Sequence, residues 1–359
     1  MTACGGSSTP TVGKWITAAK LTLPTYGQAT VKLKDGRILM AGGYDSNQKA
    51  LTTAEMYDPT SGKWSSIPDM ALSRASPSAT LLPNGQVLIA GGATIINGAA
   101  VASCELYDPS SNRWSATGAM HTARDTQIAT LLSNGQVLVA GGGANGGVTN
   151  TAELYDPQAG TWAVTGSMAQ ARGGDAGVLL NTGEVLVAGG LVGSAVNATP
   201  LTTAEIYSPS TGSWRAAASM HSVRAFFTAT ALKSGAVLVA GGVYGASPAT
   251  DSAELYQPSS NTWQTTGSMS VARGLDTAAL LNNGKVLVIG GVGPSGSATA
   301  TTELYDPATG KWQRGPSLIQ ERAANGADLL NNGEVLVEGG QAAPPAGAAL
   351  GSTELYRSS

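Results

Sequence analysis

Charge is scarce in this chain: Asp, Glu, Lys and Arg make up 12% of its 359 residues, and the net charge is −3. With no basic footprint, nucleic-acid binding through phosphate contacts is not expected. Aromatic residues are few, at 5%, and only two are Phe. No apolar run reaches the roughly 18 residues of a transmembrane helix, so none is expected. Two histidines, His121 and His221, are too few for a His-based metal site. No zinc motif, phosphate loop, dinucleotide fingerprint or nucleophile elbow occurs, and no cofactor is expected. The two cysteines, Cys4 and Cys104, cannot form a disulfide framework.

Cys104 stands in "ASCELYDP", where the matching residues elsewhere are Ala or Thr, and reads as a small buried side chain. Cys4 lies in "MTACGGSSTPT", within a leader of small and polar residues over 1–14. Thr-Ala-Cys-Gly before a Ser/Thr/Gly/Pro tether resembles the cleavage region of a bacterial lipoprotein. Lipidation there would give an anchor without a transmembrane helix. The alternative is a chance Cys in a flexible leader. Low charge and abundant Ser, Thr and Asn suit an extracytoplasmic protein.

Glycine, by contrast, is abundant, at 48 residues, alongside 42% hydrophobic residues. Disorder requires low hydrophobicity, so glycines between apolar β-type runs point to an all-β chain rich in turns. Those glycines are periodic. Pairs fall at 42–43, 91–92, 141–142, 189–190, 241–242, 290–291 and 339–340, and Trp15, Trp64, Trp114, Trp162, Trp214, Trp263 and Trp312 keep the same rhythm. Seven of each, about 50 residues apart, mean seven units.

Each unit reads as four short strands. Segments such as "ATLL" and "VLVAGG" flank Asn-Gly, Asp-Gly, Thr-Gly or Ser-Gly, a tight hairpin with positive φ. "AELY" and a Trp strand follow, joined by turns such as "DPTSGKW". Such units bury their faces only against neighbours, and radial closure protects their edges. The last unit ends at "STELYRSS" without a Trp strand, whereas Trp15 has no strands before it. Residues 15–359 are therefore expected to form a seven-bladed β-propeller of four-stranded antiparallel blades. The N-terminal strand should join the last blade, with Trp15 beside Tyr356.

Paired Gly, then Tyr, then Trp, at this period, resembles the kelch family over residues 15–359. The form "AELYDP-x-x-G-x-W" is similar to the bacterial lineage, related in architecture to the central domain of galactose oxidase and to sialic-acid mutarotases. The resemblance implies a propeller. A copper radical site of the galactose oxidase kind needs two His, a modified Cys–Tyr pair and another Tyr, and nothing here matches it.

Length varies at one place only, between the second paired Gly and the repeat Glu: 12, 13, 11, 15, 12, 12 and 14 residues. Strand alternation puts that loop on the same face as the connections between blades. Function is expected on this variable face, held by a rigid frame.

Arg74, Arg124, Arg172, Arg224, Arg273 and Arg322 share one repeat position, with Thr25 in the first unit, and a Glu recurs in every unit. Residues present in nearly every blade read as structural Arg–Glu bridges rather than an anion site. Three residues after the Arg stand Gln28, Pro77, Gln127, Asp175, Phe227, Asp276 and Asn325, expected to rim the central channel. Asp175 and Asp276 read as solvated carboxylates in a wet channel, or as a cation site or acid/base pair. His221, Phe226 and Phe227 gather at one blade boundary, with Tyr244 in the next variable loop. They form an aromatic platform for a sugar or protein loop, or else one Phe merely packs between blades.

The sequence thus supports a monomeric extracytoplasmic binding or scaffolding module for a protein or glycan. The ligand-binding candidates are His221, Phe226, Phe227, Tyr244, Asp175, Asp276, Gln127 and Asn325. Two other readings stay open: a carbohydrate epimerase or lyase, and a purely structural envelope protein. Variable loops poor in charge weigh against catalysis, which needs converging titratable groups.

Overall fold

The computed structural model describes residues 13–95, 98–144, 146–194, 197–242, 249–342 and 347–358. Cys4 and nearly all of the expected leader, as well as Tyr244, lie outside the described residues. Strand β1 (Lys14–Thr17) comes first. Blade one follows as β2 (Ala29–Lys32), β3 (Ile38–Ala41), β4 (Ala54–Asp58) and β5 (Lys63–Ile67), antiparallel and in sequence order. The same order recurs in blades two to six.

Blade seven is assembled from both ends of the chain. Gly326–Leu329, Val335–Glu338 and Thr353–Arg357 supply three strands, and β1 supplies the outermost. Trp15 pairs with Tyr356 across that join. Its indole Nε1 donates to Pro316 O at 3.0 Å, matching the bond from Trp162 to Gly118 O at 2.9 Å inside the ring. The borrowed strand is thus held like any other.

The second strand of each blade is fully buried, which explains its unbroken Val, Leu and Ile. Hydrophobic clusters lie between neighbouring blades, one to each of the seven seams. Every blade adds a tilted Tyr–Trp pair with ring centroids 4.9–5.4 Å apart. The paired glycines meet the next connection at close range. At Gly141 (φ 65°) a Cβ would lie 2.8 Å from Arg172 O, so no larger residue fits.

The repeat arginines are fully buried. Arg124 donates from Nη1 to Gly141 O and Thr151 O, and from Nη2 to Thr151 Oγ1 and Glu153 Oε1, at 2.8–3.0 Å. Glu153 also accepts from the backbone N–H groups of His121 and Thr122. Each such pair ties a connection to the blade it enters, and full burial seals the guanidiniums, including the unpartnered Nε–H groups, from any anion. In blade one Thr25 stands in for the Arg and donates to Gly42 O at 3.1 Å.

Both expected faces are present. Bridges such as Ala75↔Ala93 and Asp125↔Gly143 place each connection beside the variable loop of the blade that it enters. The hairpins occupy the opposite face.

Candidate functional site

The residue before each Asp175-type position is left-handed in all seven blades: Gly27, Ser76, Thr126, Gly174, Phe226, Leu275 and Ala324, with φ between 48° and 63°. This backbone form is costly for the five that are not Gly, and a shared bond accompanies it. Gly27 N–H donates to Ala324 O, Ser76 to Gly27, Thr126 to Ser76, Phe226 to Gly174, Leu275 to Phe226 and Ala324 to Leu275, at 2.7–3.2 Å. These residues lead into the innermost strands, so the bonds form a girdle around the channel mouth on the variable face.

One link is missing. Gly174 N–H does not reach Thr126 O, and neither group has another hydrogen-bond partner among the described residues. A cavity of about 220 Å³ opens at this gap, with Asp125, Thr126, Val148, Gly174, Leu191 and Phe226 in its wall. Phe226 lies against Gly174, where an added Cβ would sit 2.6 Å from its Cε1. Asp125 Oδ1 accepts from Thr126 Oγ1 at 3.0 Å. Burial raises the Asp125 carboxyl above its ordinary range, and that hydrogen bond partly offsets the effect.

A larger cavity, about 570 Å³, lies on the hairpin face between Asn84, Asn134 and Asp156. Similar grooves of about 340 and 270 Å³ separate other neighbouring hairpins. Their recurrence marks them as spaces between repeated turns, whereas the girdle gap occurs once.

Of the sequence candidates among the described residues, Phe226 alone lines the gap. Phe227 is buried in the cluster between blades four and five, so it packs the core. His221 is held through Nδ1 by Glu254 at 2.8 Å, and His121 by Glu153 at 2.9 Å. Burial pushes Glu254 up, but hydrogen bonds from His221 N–H, the imidazole and Arg224 outweigh it, and the carboxyl titrates below its usual range. Neither His lines the gap.

Gln127 and Asn325 turn into the seams rather than the channel. Gln127 Nε2 donates to Ala90 O at 2.8 Å, and Asn325 Nδ2 to Thr277 Oγ1 at 3.0 Å. Asp175 and Asp276 start their strands at the same position but are not the solvated carboxylates expected. All four of their carboxylate oxygens are sealed and unpartnered, including those of Asp175, whose residue as a whole is only half-buried. Burial drives both up to about 7, against a weaker pull from Arg172 and Arg273. A substrate on the variable face does not reach them.

Another polar cluster sits where blade seven meets blade one. Glu338 stands where the other blades have Ala or Ile289, and its carboxylate fills the space that a Cβ on Gly326 would take. Gly326 is likewise the one Gly at its repeat position. Neither Glu338 oxygen makes a hydrogen bond of ordinary geometry, and Asp328 Oδ2 also lacks one. Burial first, then repulsion from Asp328, push Glu338 well above the usual range; Arg322 and Thr30 oppose this. Asp328 rises to about 6 through burial, moderated by Thr30 and Lys32. Repeat comparison could have found this cluster, since acids replace aliphatic residues at one seam. The girdle gap leaves no such signal, being a relation between two backbone groups.

Five stretches, residues 29–71, 127–169, 172–221, 224–270 and 273–319, match the Kelch motif. The chain belongs to the kelch family. No curated protein matches it. Among solved structures it is similar to a novel fungal alcohol oxidase with catalytic diversity among the AA5 family, in complex with copper. The TM-score is 0.78 at 20% identity, covering 97% of this kelch chain and 76% of the oxidase. At that identity the likeness speaks for the fold alone. The residues present do not fit a copper centre: each His is held by the Glu of the blade that its connection enters. Among the described residues no three His, Cys, Asp or Glu are grouped to hold a metal.

Proposed function

We propose that this kelch propeller is an extracytoplasmic binding module that engages a glycan partner through its variable face. The carrying observation is the girdle gap. It joins a cavity, an aromatic side chain and unpaired backbone groups on the face where loop length differs between blades. Kelch propellers commonly bind partners, and loops that differ on a rigid repeated frame are where recognition is placed. The carbohydrate epimerase or lyase reading has less support, because Asp175 and Asp276 are sealed and His221 stands apart from the gap. A glycan array probed with the purified protein tests the proposal. Glycan retention that is lost when the variable face is blocked supports it. A protein loop as sole partner, or retention through the hairpin face, overturns it.

A further inference from the structure

We infer that the break in the girdle between blades three and four is a subsite for one neutral, hydroxyl-rich sugar ring; this rests on the binding-module reading above. Six of the seven junctions close with a peptide N–H donating to a peptide C=O. The seventh leaves a donor, Gly174 N–H, and an acceptor, Thr126 O, without partners among the described residues, and both residues line a cavity. A hydroxyl both accepts and donates, so one hydroxyl inserted between them completes the girdle. An ether oxygen satisfies only the donor, and an ammonium only the acceptor.

The rest of the wall narrows the class. Asp125 Oδ2 has no hydrogen-bond partner among the described residues, so at the break itself, between Gly174 and the Asp125–Thr126 pair, there are two acceptors for one backbone donor. That excess suits several hydroxyls and opposes carboxylates, phosphates and sulfates, which bring further acceptors and like charge. Phe226, Leu191 and Val148 give apolar surface against which the C–H face of a sugar ring can lie. A volume of about 220 Å³ is below the roughly 300–1,000 Å³ of drug-sized pockets, consistent with one ring rather than a long oligosaccharide.

The test uses the full chain, isotope-labelled, with methyl hexopyranosides of the common neutral sugars and with methyl glucuronide as the anionic control. Backbone amide shifts are followed during titration. The expected result is saturable movement of the Gly174, Thr126 and Phe226 amides with at least one neutral hexoside and at least tenfold weaker binding of the glucuronide. Phe226→Leu copies the residue that blade six carries at Leu275, so the fold has a precedent for it; with Asp125→Asn it should weaken binding tenfold or more. Hexosides that bind but move amides elsewhere on the variable face overturn the subsite and leave the module reading standing. Glycan retention on the array without any hexoside response at the gap has the same meaning. Absence of glycan binding in both assays overturns both readings.

Discussion

Trp15 faces Tyr356 across an antiparallel register, with ring centroids 5.4 Å apart, although the two residues lie near opposite ends of the chain. Their contact closes the ring. Trp15 is buried, and it shares a cluster with Leu287, Val335 and Val337. Trp15→Ala should therefore cost about 3–5 kcal/mol, as for other large core truncations. Deleting residues 1–20 should lower the midpoint of the whole cooperative transition. Denaturant titration checks both, and a truncated protein that unfolds like the full chain would show that the join carries no stability.

Breaking one repeat ion pair should be as damaging. Arg124→Ala leaves Glu153 buried without its guanidinium, and removes the donors to Gly141 O and Thr151 O. A loss of roughly 3–5 kcal/mol is expected. Arg124→Met with Glu153→Leu should not restore stability, because Glu153 also accepts from His121 and Thr122 N–H. Equilibrium unfolding of the single and double variants measures this.

Stability should rise as the solution is acidified from about pH 8 to about pH 5. Asp175 and Asp276 titrate at about 7 and Asp328 at about 6 in the folded protein, all above an unfolded carboxyl. The folded state thus holds protons that the unfolded state releases, so stability falls as pH climbs from the unfolded values through the folded ones. Asp175→Asn and Asp276→Asn should flatten this slope and stabilise the protein near pH 8, each by roughly 1–3 kcal/mol. An amide there also supplies the N–H that Gln127 already provides in blade three. Thermal melts across pH give the answer.

Gly326 and Glu338 should behave as a coupled pair. Gly326→Ala places a methyl where the Glu338 carboxylate lies, and should destabilise by about 1–3 kcal/mol. With Glu338→Ala, which restores the residue found in five other blades, the same change should be tolerated. A double-mutant cycle yields the coupling energy, expected at about 0.5–3 kcal/mol.

Much of the fold was legible because repetition supplies its own control. Seven Gly pairs and seven Trp residues located the blades, and the orphan Trp15 pointed to the join with Tyr356. Arg124 and Glu153 were readable as structural because every later blade repeats them. The site was less legible. Phe226 and Phe227 are neighbours of one type, yet a left-handed φ at Phe226 sends one ring to the cavity and leaves the other in the core. Asp175 looked like a channel carboxylate because its repeat position marks the strand start, whereas its burial depends on how closely the adjacent blades meet. The Gly174–Thr126 break has no residue signature at all.

The pairing of Lys14–Thr17 with Thr353–Arg357 also orders events during synthesis. Every other blade is contiguous in sequence and can form as it leaves the ribosome. Residues 14–17 are made before their partners and must wait for segments that follow more than 300 residues later. Until those partners are made, the nascent chain holds this ribbon idle, and with it an unpaired margin of N–H and C=O groups open to a neighbouring polypeptide. The seventh blade can therefore gain its outer ribbon only after all the other blades have been made.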